Sequence, residues 1–144
     1  MNEMTSESHG APARKTGRRR TLVVDNSPVA RRAVCAFLES LGTFEVVGTC
    51  GNGAEALELA DAMQPDLVVL DLRMPGLGGD VVAQRLTGRF PAMRVLIMTV
   101  QDTPESRRLA GMSGAHGFIN KLHLARELPG AVDSAFAGER SPSL

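Results

Sequence analysis

The chain has no tryptophan and no tyrosine, and its five phenylalanines are the only aromatic side chains in 144 residues. Without aromatic platforms it does not suit single-stranded nucleic acid, whose bases are held by stacking. Net charge is also absent, with 16 basic residues against 16 acidic ones. No global field therefore recruits nucleic acid or an anionic membrane. Its two cysteines, Cys35 and Cys50, stand at no metal-ligand spacing. With no signal peptide in view, they read as reduced thiols. No apolar run approaches the ~20 residues that cross a bilayer. We expect a cytoplasmic protein with no membrane partner and no direct nucleic-acid binding by the domain. Its length suits one domain with its own core.

Residues 1–20 are polar, small and punctuated by Gly and Pro, and they end in Arg14, Lys15, Arg18, Arg19 and Arg20. They read as a disordered basic tail, a solvated charge run rather than a binding site. Order is expected from Leu22-Val23-Val24, which stops at Asp25-Asn26-Ser27-Pro28. Asn26 or Ser27 can cap a helix there, with Pro28 in its first turn. A second strand at Phe44 to Val47 precedes Gly51-Asn52-Gly53-Ala54-Glu55-Ala56. That stretch fits a dinucleotide G-x-G-x-x-A pattern loosely, but it follows the second strand rather than the first, and a helix cap at Asn52 explains the same residues.

The middle of the chain is Leu67-Val68-Val69-Leu70-Asp71, followed by a Pro- and Gly-rich loop through Gly79. A short continuous apolar run reads as a strand buried on both faces. Asp71 stands where that strand ends, either capping the loop or available for chemistry. A third helix is expected at Val81 to Leu86, and a fourth strand over Arg94 to Thr99. Asp102 or Thr103 can cap a fourth helix that reaches about Met112. A short fifth strand lies within Gly114 to Ile119, and Asn120-Lys121 follows it. The last helix is expected over about Glu127 to Phe136, beginning after Leu124 because Pro129 belongs in a first turn.

Five strands alternating with five helices predict an α/β fold, a single doubly wound (βα)5 domain over residues 21–138 with a short tail at 139–144. The natural order for its parallel five-stranded sheet is the flavodoxin-like 2-1-3-4-5. The carboxyl ends of the strands then share one edge. Asp25 and Asn26, Asp71, Thr99 and Lys121 meet there, and Asp25 lies beside Asp71. Two such carboxylates about 4 Å apart repel by about 4 kcal/mol at an effective dielectric near 20. Lys121 answers part of that repulsion, and a hard divalent ion such as Mg2+ suits the remainder. The set suits phosphoryl transfer to a carboxylate.

On LVVDNSPVARR, PDLVVLDLRMPGLGG, LIMTV and GFINK, in that order, residues 21 to about 138 resemble the receiver domain of a bacterial two-component response regulator, of the CheY-like superfamily. The resemblance implies a phosphorelay switch in which Asp71 accepts a phosphoryl group from a sensor histidine kinase. It implies that Mg2+ is held by Asp25, largely through water, by Asp71 and by the backbone carbonyl of Arg73. Thr99 and Lys121 would bond the phosphoryl oxygens, and Phe118 takes the place of the aromatic switch residue. Phosphorylation would draw Thr99 inward, let Phe118 turn inward and remodel the face made by the fourth helix, fifth strand and fifth helix. That face would engage a downstream output protein, a DNA-binding domain beyond this chain, or a second copy in a homodimer. Such a protein is a phosphoacceptor rather than an enzyme, at most catalysing its own phosphorylation and dephosphorylation.

Three positions depart from the family pattern. Asn26 replaces a second acidic residue, so it is at best a weak metal ligand, and Asp25, Asp71 and Lys121 sum to −1. Val100 follows Thr99 where a small residue is usual, and Leu122 replaces a frequent proline. Asn26 and Val100 support an alternative, a degenerate receiver acting as a phosphorylation-independent interaction module. A dehalogenase-like phosphatase is disfavoured by Arg73, which stands where that family has a second aspartate. A flavodoxin is disfavoured by Asp-Asn-Ser-Pro, which offers no phosphate cradle.

Overall fold

The computed structural model describes residues 17–138. The strands are β1 (Arg19–Val24), β2 (Phe44–Cys50), β3 (Leu67–Asp71), β4 (Arg94–Thr99) and β5 (Gly117–Asn120). They alternate with α1 (Pro28–Ser40), α2 (Gly53–Met63), α3 (Gly79–Arg89), α4 (Pro104–Met112) and α5 (Leu124–Phe136), and a 3-10 turn at Lys121–His123 precedes α5. All strands are parallel, in the order β2-β1-β3-β4-β5. This is the doubly wound, flavodoxin-like arrangement expected from the alternation.

The apolar run of β3 is continuous because each face of the sheet meets a different core. Val68 and Leu70 join Leu22, Val24, Val95, Ile97 and Phe118 under α2, α3 and α4. Leu67 and Val69 join Val23, Leu96, Met98 and Ile119 under α1 and α5. Successive strand residues point to opposite faces, so a strand sandwiched this way has no position for a polar side chain until it ends. Asp71 is that end.

The helices start where local chemistry places them. Ser27, Asn52 and Thr103 accept hydrogen bonds from the backbone of Ala30, Glu55 and Ser106, and Pro28 and Pro104 occupy first-turn positions. Of the paired alternatives, Ser27 rather than Asn26 and Thr103 rather than Asp102 are the caps. The G-x-G-x-x-A stretch is explained by packing. A Cβ at Gly53 would stand 2.7 Å from Val82 Cγ2 and 2.8 Å from Leu77 Cβ, so the glycine lets α2 approach α3.

Several boundaries differ from expectation. The 1–20 tail is corrected at its end, since Arg19 and Arg20 belong to β1. Arg20 donates its peptide N–H to Asp66 and its guanidinium to the Met63 and Gln64 carbonyls. Arg19 places its guanidinium 3.8 Å from the centre of the Phe136 ring. A basic run is thus absorbed into the fold through its donors and its aliphatic stems. The tail over 1–16 and that over 139–144 lie outside the described residues. Helix α3 is longer than expected, and α5 begins at Leu124 with Pro129 in its interior. Pro129 cannot donate to the carbonyl of Ala125, an exposed residue where water can serve instead. Burial of Leu128, Ala131, Val132 and Ala135 holds the helix through that gap.

Candidate functional site

The site lies at the carboxyl edge of the sheet. Asp25 directly follows β1, and its peptide N–H still donates to Cys50 of β2. Its Oδ1 accepts the Ser27 N–H at 3.0 Å, so the residue that caps α1 also aims the carboxylate. Asp71 ends β3, and the chain turns back sharply enough that Gly79, the first residue of α3, touches it. A Cβ at Gly79 would collide with the Asp71 carbonyl oxygen. The Leu72 N–H donates to Met98 and the Gly79 N–H to Leu72, which fixes the loop base. Lys121 opens the 3-10 turn after β5, a turn capped by the Asn120 side chain accepting from the Leu122 N–H.

Lys121 joins the two carboxylates. Its Nζ lies 2.6 Å from Asp25 Oδ2 and 3.5 Å from Asp71 Oδ2. Asp25 is fully buried and the lysine side chain is 16% exposed. The charge-assisted bond to Asp25 is the short one, and the lysine leans toward the more buried partner. Burial pushes the Asp71 carboxyl above its ordinary value; Lys121 opposes that rise, Asp25 adds to it, and the Arg73 N–H, 3.4 Å from Oδ1, opposes it. Desolvation therefore outweighs the lysine at this position.

The remaining residues named from the sequence are placed less uniformly. Thr99 is buried at the end of β4, and its Oγ1 accepts the Gln101 N–H at 3.1 Å, a bond within its own loop. Asn26 is exposed and makes no hydrogen bond among the described residues. The backbone of Arg73 borders Asp71, while its side chain reaches away to Ser106 Oγ at 3.4 Å. Phe118 is already buried, 2% exposed, in the core under α4. Val100 and Leu122 are both exposed beside the site. Cys50 borders the site through its carbonyl, which accepts the Asp25 N–H, and burial pushes its thiol up to about 11.

Sequence reasoning did not identify Arg31, whose Nη1 donates to the Asp25 carbonyl at 2.6 Å. A cation four residues after a helix cap was the available signal, since one turn of helix returns it to the loop. It also did not identify Ser106, fully buried on α4, which receives both Arg73 and the Thr103 hydroxyl.

Two carboxylates and a shared lysine at the ends of parallel strands combine oxygen donors of the type a hard cation takes with an ammonium of the type an anionic oxygen takes. Residues 21–133 match the family model of the response regulator receiver domain. The chain belongs to that family. This receiver is 38% identical over 119 residues to the virulence transcription regulator BvgA of Bordetella pertussis. It is 34% identical over 122 residues to the response regulator GacA of Pseudomonas viridiflava. The two alignments cover 83% and 84% of this chain. The chain spans about half the length of these relatives, 56% of each. Among solved structures, it resembles the signal receiver domain of a response regulator NarL from Mycobacterium tuberculosis. That likeness has a TM-score of 0.78 at 36% identity and covers 85% of this chain and 98% of that one. Receivers are not enzymes in the usual sense, and as a family they bind Mg2+ at their acidic pocket. No helix among the described residues is long and apolar enough to cross a membrane.

Proposed function

We propose that this receiver is a phosphorylation switch whose phosphoacceptor is Asp71. The observation that carries the reading is Lys121 bonded at once to Asp25 and Asp71 at the end of the sheet. The donor partner is a phosphohistidine on a sensor histidine kinase. A carboxylate oxygen of Asp71 forms a bond to phosphorus as the bond from phosphorus to the imidazole nitrogen breaks and its electron pair stays on that nitrogen. Lys121, released in part from Asp71, is positioned to take a phosphoryl oxygen. Thr99 contributes its hydroxyl by donating the O–H to another phosphoryl oxygen while its oxygen accepts the Gln101 N–H. Burial of Asp71 excludes the water that would otherwise solvate the attacking carboxylate.

The residues present suit Mg2+ by donor type. Asp25, Asp71, the Arg73 carbonyl and the Asn26 amide are all oxygen ligands, and Mg2+ is commonly held by one or two carboxylates with water completing the octahedron. The chemistry such an ion supplies when bound is neutralisation of charge on the phosphoryl oxygens. The donor set is lean: both Asp25 oxygens are already engaged by Ser27 and Lys121. This leanness also supports a second reading, a degenerate receiver that binds partners without being phosphorylated.

In the first reading the output is the face of α4, β5 and α5, offered to an output protein, a DNA-binding domain or a second copy of the chain. Incubation with acetyl phosphate and Mg2+ separates the readings by intact mass. The switch predicts one added phosphoryl group, lost in Asp71→Ala. An unchanged wild-type mass sinks it.

A further inference from the structure

Asp25 is held at every polar atom. Its N–H donates to the Cys50 carbonyl at 3.0 Å, its Oδ1 accepts the Ser27 N–H at 3.0 Å and its Oδ2 accepts from the Lys121 ammonium at 2.6 Å. The fourth partner is Arg31, whose Nη1 donates to the Asp25 carbonyl at 2.6 Å. An arginine near an aspartate commonly takes the carboxylate with both arms. This one takes the backbone and leaves the carboxylate to Ser27 and Lys121.

Two local features bring it there. The Arg31 N–H donates to the Ser27 carbonyl at 2.8 Å, so the first turn of α1 returns the side chain over the loop that opens the helix. Gly51, just past β2, leaves room for it. A Cβ at Gly51 would stand 3.0 Å from Arg31 Nη1 and 3.8 Å from both Asn26 Cα and the Asp25 carbonyl oxygen. The half-buried arginine is thus seated between the ends of β1 and β2.

The carbonyl of Asp25 and the N–H of Asn26 belong to one planar peptide unit. A charge-assisted bond to that carbonyl fixes the plane, and with it the directions in which residues 25 and 26 leave the strand.

We propose that Arg31 is a positioning residue of the acid pocket, which acts through the Asp25–Asn26 peptide to hold the oxygen donors of both residues ready for Mg2+. The proposal deepens the phosphorylation-switch reading and rests on it. Arg31 touches neither the ion nor the phosphoryl group. Its charge works against its geometry, because a cation beside the pocket repels Mg2+. Removing the guanidinium therefore tightens Mg2+ if charge alone matters and weakens it if positioning does.

Calorimetric Mg2+ titration of the full chain tests this in the wild type, Arg31→Met, which keeps the stem without a donor, and Arg31→Lys, which keeps a donor. The methionine variant should bind about tenfold more weakly, the lower scale for loss of a group that orients a metal ligand. The lysine variant should recover most of that loss. In metal-free protein the Arg31→Met substitution should move the NMR signal of the Asn26 amide, which shares its peptide with the freed carbonyl, and leave the amides of β4 and β5 in place. The proposal is overturned if Arg31→Met binds Mg2+ as tightly as the wild type or more so, if Arg31→Lys is as weak as Arg31→Met, if the Asn26 signal stays put, if the shifts spread to β4 and β5, or if the wild type takes up no Mg2+. A wild type that loses Mg2+ with Arg31 as expected, yet gains no mass from acetyl phosphate, refutes the switch reading instead, so the two ideas fail separately.

Discussion

At the amino edge of the sheet Arg20 gives its Nη1 protons to the Met63 and Gln64 carbonyls, at 2.8 and 3.0 Å. At the carboxyl edge Lys121 faces the carboxylates of Asp25 and Asp71. Arg94 repeats the first arrangement, donating Nε to Ala135 in the last turn of α5 and Nη1 to Pro91. Helix carboxyl ends leave carbonyls unpaired and partly negative, so a cation there completes the backbone hydrogen bonding and nothing is left over. The opposite edge is unfinished by design of its charges. One ammonium is shared between two acids that repel each other, and a further cation or a phosphoryl group has something to change. The same fold thus seats cations on neutral carbonyls at one end and on a pair of carboxylates at the other.

Truncating the two cations should break this comparison most visibly. Lys121→Ala strands the fully buried Asp25 carboxylate and should cost about 3 kcal/mol in urea unfolding. Arg20→Ala leaves only neutral carbonyls short of a donor and should cost about 1 kcal/mol. Equal losses would mean that the carboxyl edge is no more strained than the amino edge. Next in size is the metal. Asn26→Asp restores a carboxylate at an exposed position, and with ~1 kcal/mol per pair of unit charges in solvent contact, hence ~2 kcal/mol against a divalent ion, it should tighten Mg2+ about thirtyfold by calorimetry. Indistinguishable affinities would show that residue 26 plays no part in holding the ion.

The smallest expected effect concerns protonation. Because the Asp71 carboxyl is raised in the folded state, the fold binds its proton more tightly than the unfolded chain does. Its contribution to stability is complete below the ordinary value of 3.8 and is lost as pH rises through the folded value. Asp71→Asn should therefore melt above the wild type at neutral pH, and the gap should close as pH falls toward 3.8. A gap that widens on acidification would reverse the sign.

Much of this was legible in the residues. The run Leu67 to Leu70 announced a strand with two buried faces, and its final Asp71 was readable as the end of that strand. Proline and cap residues located α1 and α4. Less legible were Arg19 and Arg20, which look like the close of a charged tail until the carbonyls of α2 and the ring of Phe136 are seen beside them. Pro129 misled in the opposite direction, since a breaker by local rule is tolerated when four apolar neighbours are buried. Phe118 was read as a switch residue yet to turn inward, whereas it is already packed beneath Arg107.

By itself the sequence determined the alternation of strands and helices, the prolines and candidate caps that open α1 and α4, and that Asp25, Asp71, Thr99 and Lys121 stand at strand ends. Those features depend on neighbours a few residues apart and on the two-residue alternation of a strand. Only the tertiary structure decided that Lys121 favours Asp25 over Asp71 and that Arg107 covers Phe118. Lys121 and its two partners are 96 and 50 residues apart. Long cationic side chains have many rotamers, and no local rule ranks acceptors brought from distant strands. Their choice follows from which carboxylate the packed sheet has stripped of water.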